Sequence, residues 1–395
     1  MTRVGDVVAA MEEWFDPAAA ESWDAVGLVC GDRRESLERV LLAIDATPAT
    51  VGQAERMGAK LLITHHPLLL TAVHGVPAED PKGALVHRMI RAGIAHHVAH
   101  SNAEIARPGV TDALAAVLGV VDTQPIEAVP APPLDKLVVF VPEAEAPALI
   151  DALAAAGAGR LGRYDRCAWT GSGIGTFRPG DGAKPTIGEP GAIEVVREAR
   201  VEMVLPPARR TAVVAALHSA HPYEEPAFDL FAHVALPSAR GVGRIGRLET
   251  PLRLGDVIER VAVRLPATAA GVRAAGSSDR RVERVALCAG SGGSLIDAAR
   301  QLGADVLVTA DLKHHYGVEA VAQREATGRG PGDDIAAGSR PEAMALIDAS
   351  HWATEVPWLH QVAARLRDRF GTTVEPVVSA LVTDPWTLHV PSPHR

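Results

Sequence analysis

Residues 59–67 read Ala59-Lys60-Leu61-Leu62-Ile63-Thr64-His65-His66-Pro67. The short apolar run predicts a buried β-strand, and it stops on two histidines and a proline. Side chains alternate across a strand, so neighbouring histidines cannot share one site while the strand stays regular. At a strand end, where the chain turns into a loop, both can point over the sheet edge. Pro67 forces that departure, because it restricts His66 and removes a backbone donor. A His pair that only hydrogen-bonds within a loop would carry the same local sequence.

The flanks set this strand in a sheet. Residues 40–45 and 94–100 are further runs of strand length, and apolar spacing predicts helices over 49–57 and 82–92. Gly58 and Gly93 follow as stop signals. Strand–helix–strand alternation with short connections predicts an α/β fold with a largely parallel sheet. Such sheets collect ligand sites at the carboxyl ends of their strands. His96 and His97 fall inside the third run and point to opposite faces, which suits packed or surface histidines better than ligands.

The last third repeats the pattern. Advancing 245 positions lays Arg39-Val40 on Arg284-Val285, Leu42 on Leu287, Ala54 on Ala299, Gly58-Ala59 on Gly303-Ala304, Leu62 on Leu307 and Thr64 on Thr309, eight identities without a gap. Two related α/β halves are expected, with shared composition of two βαβ units as the alternative. Between them, 136–142 reads as a strand and 146–157 as a helix. A glycine-rich stretch at 171–185 follows, then a strand at 201–206, a helix at 208–220 and a strand at 228–236. That order suits an inserted ferredoxin-like module. The expected division is 1–131 for the first half, 132–237 for the insert and 238–395 for the second half, with Pro- and Gly-rich linkers at the joins. Residues 323–342 lack apolar periodicity and read as a mobile surface loop.

Composition narrows the function. The chain has 395 residues, 47% hydrophobic and 22% charged, with 39 Lys+Arg against 48 Asp+Glu and a net charge of −9. That balance makes nucleic acid an unlikely partner, since phosphate binding draws on clustered positive charge. The three cysteines, Cys30, Cys167 and Cys288, lie far apart and exclude a disulfide scaffold or Cys-rich zinc knot. No apolar run approaches the roughly 18–20 residues that span a bilayer. The amino end does not read as a secretory signal. A cytoplasmic location, without membrane association, is expected by elimination. Sixteen histidines stand against three tyrosines and six phenylalanines.

Three segments place chemistry at strand ends. The first is His65-His66. The second is His100-Ser101-Asn102-Ala103-Glu104, where Glu104 is a candidate carboxylate ligand. The third is Asp348 to Glu355, where a strand runs into a helix and His351 and Glu355 fall four apart, on one helical face. Two halves packed face to face would bring these ends to one cleft. Four or five nitrogen and oxygen ligands, one carboxylate able to bridge, suit two divalent ions. With no thiolate nearby, zinc, manganese, iron and nickel are all admissible. Asp311 and His315, at another strand end, are candidate acid–base groups, as is His100.

Two glycine-rich segments carry weaker signals. Gly241 to Gly246 fits GxGxxG but lacks the strand-into-helix context, so it reads as a linker turn. Cys288 to Gly293 lies between strand and helix, where its amides could receive a phosphate. Close strand–helix packing explains those glycines as well.

ITHHP, the His-Ser-Asn-x-acid segment, SWDAVGL near Trp23, TADLKHH and IDASHWATE together resemble the dinuclear-metal, toroid-forming family often labelled GTP cyclohydrolase I type 2, also called Nif-three-like. HPYEEPAFDLF resembles the end of the CutA/PII-like insert of its longer members. The resemblance implies metal ligands at His65, His66, Glu104, His351 and Glu355, with Glu355 bridging. It also implies a homo-oligomer, a hexameric ring whose sites face an internal cavity. The chain departs from the family pattern at Glu104 (Asp), Ala25 (Asn), Ala310 (Gly), Ser350 (Gly) and Trp352 (Tyr). These readings predict a metal-dependent hydrolase acting on a nucleotide-like or phosphorylated small molecule. The alternative is a non-catalytic metal-binding ring scaffold or metal sensor.

Overall fold

The computed structural model describes residues 1–325 and 344–391. It is mixed α/β and divides into two units, Met1–Val129 with Ala239–Arg395, and Pro130–Ser238.

The first unit holds two large sheets. In the five-stranded sheet the order is Gly27–Cys30, Ala95–Val98, Leu61–Thr64, Arg39–Ala43 and Glu375–Val378. All but the first strand run parallel. The helix Pro48–Arg56 begins on a Thr47 cap with Pro48 in its first turn, and Asp80 caps Pro81–Arg91 by accepting from Lys82 and Gly83 backbone N–H groups at 2.9 and 3.0 Å. Both starts follow the ordinary rule that a polar cap and an early proline satisfy or remove free amides.

The six-stranded sheet runs Arg273–Ala275, Ala345–Ala349, Val306–Ala310, Arg281–Ser291, Arg244–Arg253 and Val120–Gln124. The start of its first parallel pairing repeats that of the first sheet. Val40 faces Leu61 and Leu41 faces Leu62, while 245 positions on Val285 faces Val306 and Ala286 faces Leu307. The halves are not separate, however. Glu375–Val378, from the carboxyl-terminal segment, completes the first sheet, and Val120–Gln124, from the amino-terminal segment, completes the second.

Alternation divides the apolar residues between layers. Val40, Leu42, Leu61 and Ile63 share one core with Val285, Leu287, Val306 and Val308. Leu41, Ala43 and Leu62 face the opposite way, onto Val51, Ala54 and Met89 of the covering helices. The helix His351–Phe370 touches both sheets and fills the shared core with Trp358, Leu359, Val362 and Leu366. Burying each such side chain contributes about 1.5–3 kcal/mol.

In the second unit, Asp135–Pro142, Ala168–Phe177, Glu194–Leu205 and Phe228–Ala232 form an antiparallel sheet, ordered fourth, first, third, second. Helices Ala146–Ala155 and Arg210–Ala220 bury Leu149, Leu153, Val213 and Leu217 with Val139, Val201 and Met203 of the sheet.

Two sequence expectations need correction. The glycine-rich stretch begins as a strand, Ala168–Phe177, paired along its full length with Glu194–Leu205. The linker turn expected at 241–246 is a strand junction. Gly243, at φ +64°, separates Pro237–Val242 from Arg244–Arg253, a strand well inside the second sheet. Fully buried Arg244 is held there by a two-pronged ion pair with Asp112 at 2.8 and 2.9 Å. The helix His314–Glu325 takes in the first residues of the expected 323–342 loop, and 326–342 lie outside the described residues.

Candidate metal centre

Strand ends deliver the histidines. Backbone pairing continues past Thr64, with His65 N–H bonded to the Ala43 carbonyl and His66 N–H to that of Ile44, before Pro67 ends it. His100 closes the neighbouring strand, and Glu104 sits on the single turn Ser101–Ile105 that follows. Across the unit, Ser350 caps the helix that begins at His351, and Glu355 lies one turn in. His65, His66, His100, Glu104, His351 and Glu355 thus converge. Three overlapping triads have donor atoms within 4.8 Å of one another: His65–His66–His100, His66–His351–Glu355 and His65–Glu104–Glu355.

Each imidazole is turned by an acceptor behind it. The Nδ1–H groups donate to the Ala99 carbonyl from His65 (2.9 Å), Asp45 from His66 (2.8 Å), Asp24 from His100 (2.9 Å) and Asp311 from His351 (2.6 Å). Carbonyls and carboxylates only accept, so Nδ1 carries hydrogen in all four and Nε2 is the free coordinating atom. Three Nε2 atoms surround Glu355, at 2.9 Å (His351), 3.2 Å (His66) and 3.5 Å (His65). Glu104 Oε1 stands 3.9 Å from His65 Nε2. The Trp358 ring packs 5.2 Å from that of His65 and holds it from below.

This arrangement is costly without a cation. Glu355 is 1% exposed, and neither its oxygens nor His65 Nε2 has a well-formed hydrogen bond among the described residues. Buried polar atoms are ordinarily satisfied. Burial disfavours the charged form of His66, yet the Glu355 charge and the Asp45 hydrogen bond prevail and raise it to about 10. His351 likewise rises to about 9 against its burial, through Glu355 and Asp311. Glu355 is held well below the carboxylate range despite complete burial, by His65 and His66. Burial, with Glu355 nearby, pushes Glu104 up to about 7. The donor set of imidazoles and carboxylates fits borderline metals.

The backbone makes room for the centre. A β-carbon on Gly290 would meet Glu355 Oε1 and His351 Nε2. Two amides of the Cys288 to Gly293 segment are taken, because Ala289 N–H bonds the Thr111 hydroxyl and Gly290 N–H that of Thr354. Close packing accounts for the neighbouring glycines, since β-carbons on Gly292 and Gly293 would strike Thr309 and Tyr316.

The three candidate acid–base residues separate. His100 joins the cluster, Asp311 orients His351, and His315 lies exposed at the start of its helix with its ring neighbour His314. His96 and His97 are buried in their strand, His96 Nε2 meeting the Thr64 hydroxyl at 2.8 Å. Sequence reasoning missed the roles of Asp24 and Asp45. Asp24 accepts from His100 and from Ser101 N–H, and Ala25 donates its own N–H to it. A cavity of ≈ 840 Å³ opens beside the cluster, lined by His66, His100, His351, Asp311, Arg273 and Trp386.

Comparison with known proteins now gives this architecture a class. The family model described as Duf34/NIF3 (NGG1p interacting factor 3) matches residues 2–385, and the chain belongs to that family. A Mycobacterium leprae protein named GTP cyclohydrolase 1 type 2 homolog is 46% identical, covering 98% of this chain and 95% of its own length. A Streptomyces coelicolor protein of the same name is 33% identical over 99% and 96%. Among solved structures, a Bacillus cereus protein related to NIF3 matches with a TM-score of 0.75 at 30% identity, covering 98% of this chain and 99% of its own. A Staphylococcus aureus protein shares the fold, with a TM-score of 0.80 at 24% identity and the same coverage. No described helix is long and apolar enough to cross a membrane.

Proposed function

We propose that the chain is a metal-dependent hydrolase that holds two divalent cations and acts on a nucleotide-like or phosphorylated small molecule. The observation that carries this reading is the set of three Nε2 atoms around the buried Glu355 carboxylate, each imidazole fixed from behind. One cation falls to His65, Glu104 and Glu355, the other to His66, His351 and Glu355, with His100 as a further donor beside His65 and His66. Glu355, common to both groups, would serve both cations. When bound, such a pair supplies Lewis acidity and a water-derived nucleophile at neutral pH.

The chain's own residues do the rest. Asp45 and Asp311 keep His66 and His351 in the coordinating tautomer, and Asp24 does the same for His100. His100 and Asp311 line the cavity and are placed to move a proton there, a role His315 does not share. Trp386 offers the same cavity an aromatic face, which suits a substrate carrying a planar ring, while Arg273 lines it with two N–H groups donated to Asp348 at 2.5 and 2.7 Å. Attack on the guanine ring of GTP rests on the relatives' name alone. The inserted unit reads as a ferredoxin-like module, supported by its strand order and two helices on one face. Assembly into a hexameric ring rests on the family resemblance.

Elemental analysis of the purified protein tests the centre. About two ions per chain are expected, falling in Glu355→Gln. A nucleotide-hydrolysis screen with manganese, zinc or cobalt then tests turnover, which His65→Ala and His351→Ala should abolish. Bound metal with no turnover across broad substrates would instead support a scaffold or sensor. Metal-free protein that binds no divalent ion would overturn the reading.

A further inference from the structure

The inserted unit has a second cavity that owes nothing to the metal cluster. Its sheet carries both helices on one face, where Val139, Val141, Ala199, Val201 and Met203 are buried. Among the described residues no helix of this unit covers the other face. Alternation places Phe140, Glu198 and Arg200 there, and the register sets Gly173 opposite Glu198 and Gly171 opposite Arg200. A cavity of ≈ 710 Å³ lies over this face, lined by Phe140, Trp169, Phe177, Glu198, Arg200 and Tyr223 among others. That volume suits a small organic ligand.

Three alternate glycines bare its floor. Glycine weakens a strand, and its presence often marks close approach by a ligand or another chain. Each position has a distinct reason here. A β-carbon on Gly171 would lie 2.5 Å from the Trp169 ring, and one on Gly175 would lie 2.0 Å from a Glu198 carboxylate oxygen. These two glycines seat the side chains that wall the cavity. Above Gly173 nothing lies within 4 Å of the β-carbon position, so the floor between them is open.

Charge selects the ligand. Arg200 pairs with Glu202 at 3.0 Å, a carboxylate it shares with Lys136 at 2.7 Å, and lies 6.0 Å from the Phe140 ring centre, so its charge is answered in part within the sheet. Glu198 is half-buried and, among the described residues, accepts only from the Tyr223 hydroxyl at 3.0 Å. Glu224 and Glu225 add acidity to the lining. A carboxylate between aromatic rings and a flat floor matches a planar group with two parallel N–H donors.

We propose that this cavity binds a planar, nitrogen-rich cation, an aryl amidine or amino-substituted heterocycle, with its paired N–H donors on Glu198 and its ring over Gly173 between Trp169 and Tyr223. The test uses the full chain with 2-aminobenzimidazole and benzamidine as probes and benzoate as the charge-reversed control, read by calorimetry. Saturable binding of one probe molecule per chain is expected, with benzoate silent. Glu198→Gln should weaken binding at least tenfold. Gly173→Val, which suits a strand but fills the floor, should abolish it. Unchanged thermal unfolding and metal content in both variants would place the loss at the cavity. Failure of both probes to saturate, equal binding of benzoate, or full affinity in Glu198→Gln would each overturn the proposal.

Discussion

A β-carbon placed on Gly290 would stand 2.7 Å from Glu355 Oε1 and 3.1 Å from His351 Nε2. The end of the strand Arg281–Ser291 therefore passes so close to the carboxylate that only hydrogen fits between them. Gly290 also sits at φ +65°, where any other residue costs roughly 1–2 kcal/mol. Gly290→Ala should displace Glu355 and His351 and lower bound metal from about two ions per chain to one or fewer. Full metal content in that variant would show that the glycine serves the backbone alone.

Metal uptake should release protons. Without a cation, His66 and His351 are protonated up to about 10 and 9, whereas a coordinating Nε2 must be bare. Apparent affinity should rise with pH until those values are passed, by as much as tenfold per unit for each proton displaced. Both values are raised above that of an unfolded histidine. The metal-free chain thus gains stability that is complete below about 6.5 and fades as pH climbs through 9–10. Calorimetry of zinc binding at pH 7 in buffers of different ionisation enthalpy measures the release. A heat independent of buffer would contradict it.

Much of this centre is legible in the chain because it obeys two local rules. Parallel strands present their carboxyl ends together, and a helix puts residues four apart on one face. His65, His66, His100, Glu104, His351 and Glu355 all follow from these. Asp24 and Asp45 do not, since only tertiary packing brings a carboxylate behind an imidazole 76 or 21 residues away. The fold shows the same division. The pairing of Arg39–Ala43 with Leu61–Thr64 and its repeat 245 residues on are visible as a shifted register. Gly171, Gly173 and Gly175 conceal a strand, because pairing with Glu194–Leu205 overrides the poor propensity of glycine. The exchange of Glu375–Val378 and Val120–Gln124 between the sheets leaves no local mark.

Acid should destabilise the chain through two histidines outside the cluster. Burial lowers His96 to about 3, and burial with the Arg33 charge lowers His97 to about 4. Both are neutral when folded and protonate near 6.5 when unfolded. The stability contributed by these two is therefore complete above 6.5 and declines as pH falls towards 4, by up to about 1.4 kcal/mol per unit for each imidazole. Urea unfolding of metal-free protein between pH 7 and 4.5 would show the slope. His96→Gln should flatten it, even if stability at pH 7 drops with the loss of the Thr64 contact.

The carboxyl-terminal segment should support one cation more than the other. Thr383 donates its hydroxyl to Asp45 Oδ2, while Asp45 Oδ1 accepts from His66 at 2.8 Å. The Ser350 hydroxyl, which caps the helix bearing His351, meets Asp384. Both contacts lead to the group of His66, His351 and Glu355 proposed to hold one cation, whereas His65 leans on the Ala99 carbonyl. Loss of a group that orients a ligand commonly costs 10–100-fold in metal affinity. Asp45→Asn should impose that loss on one ion and spare the ion of His65 and Glu104, while Thr383→Val, one step further out, should weaken the same ion by less. Titration with a competing chelator separates the two affinities. Equal weakening of both ions in Asp45→Asn would mean that the two positions are coupled through Glu355 more tightly than their separate supports suggest.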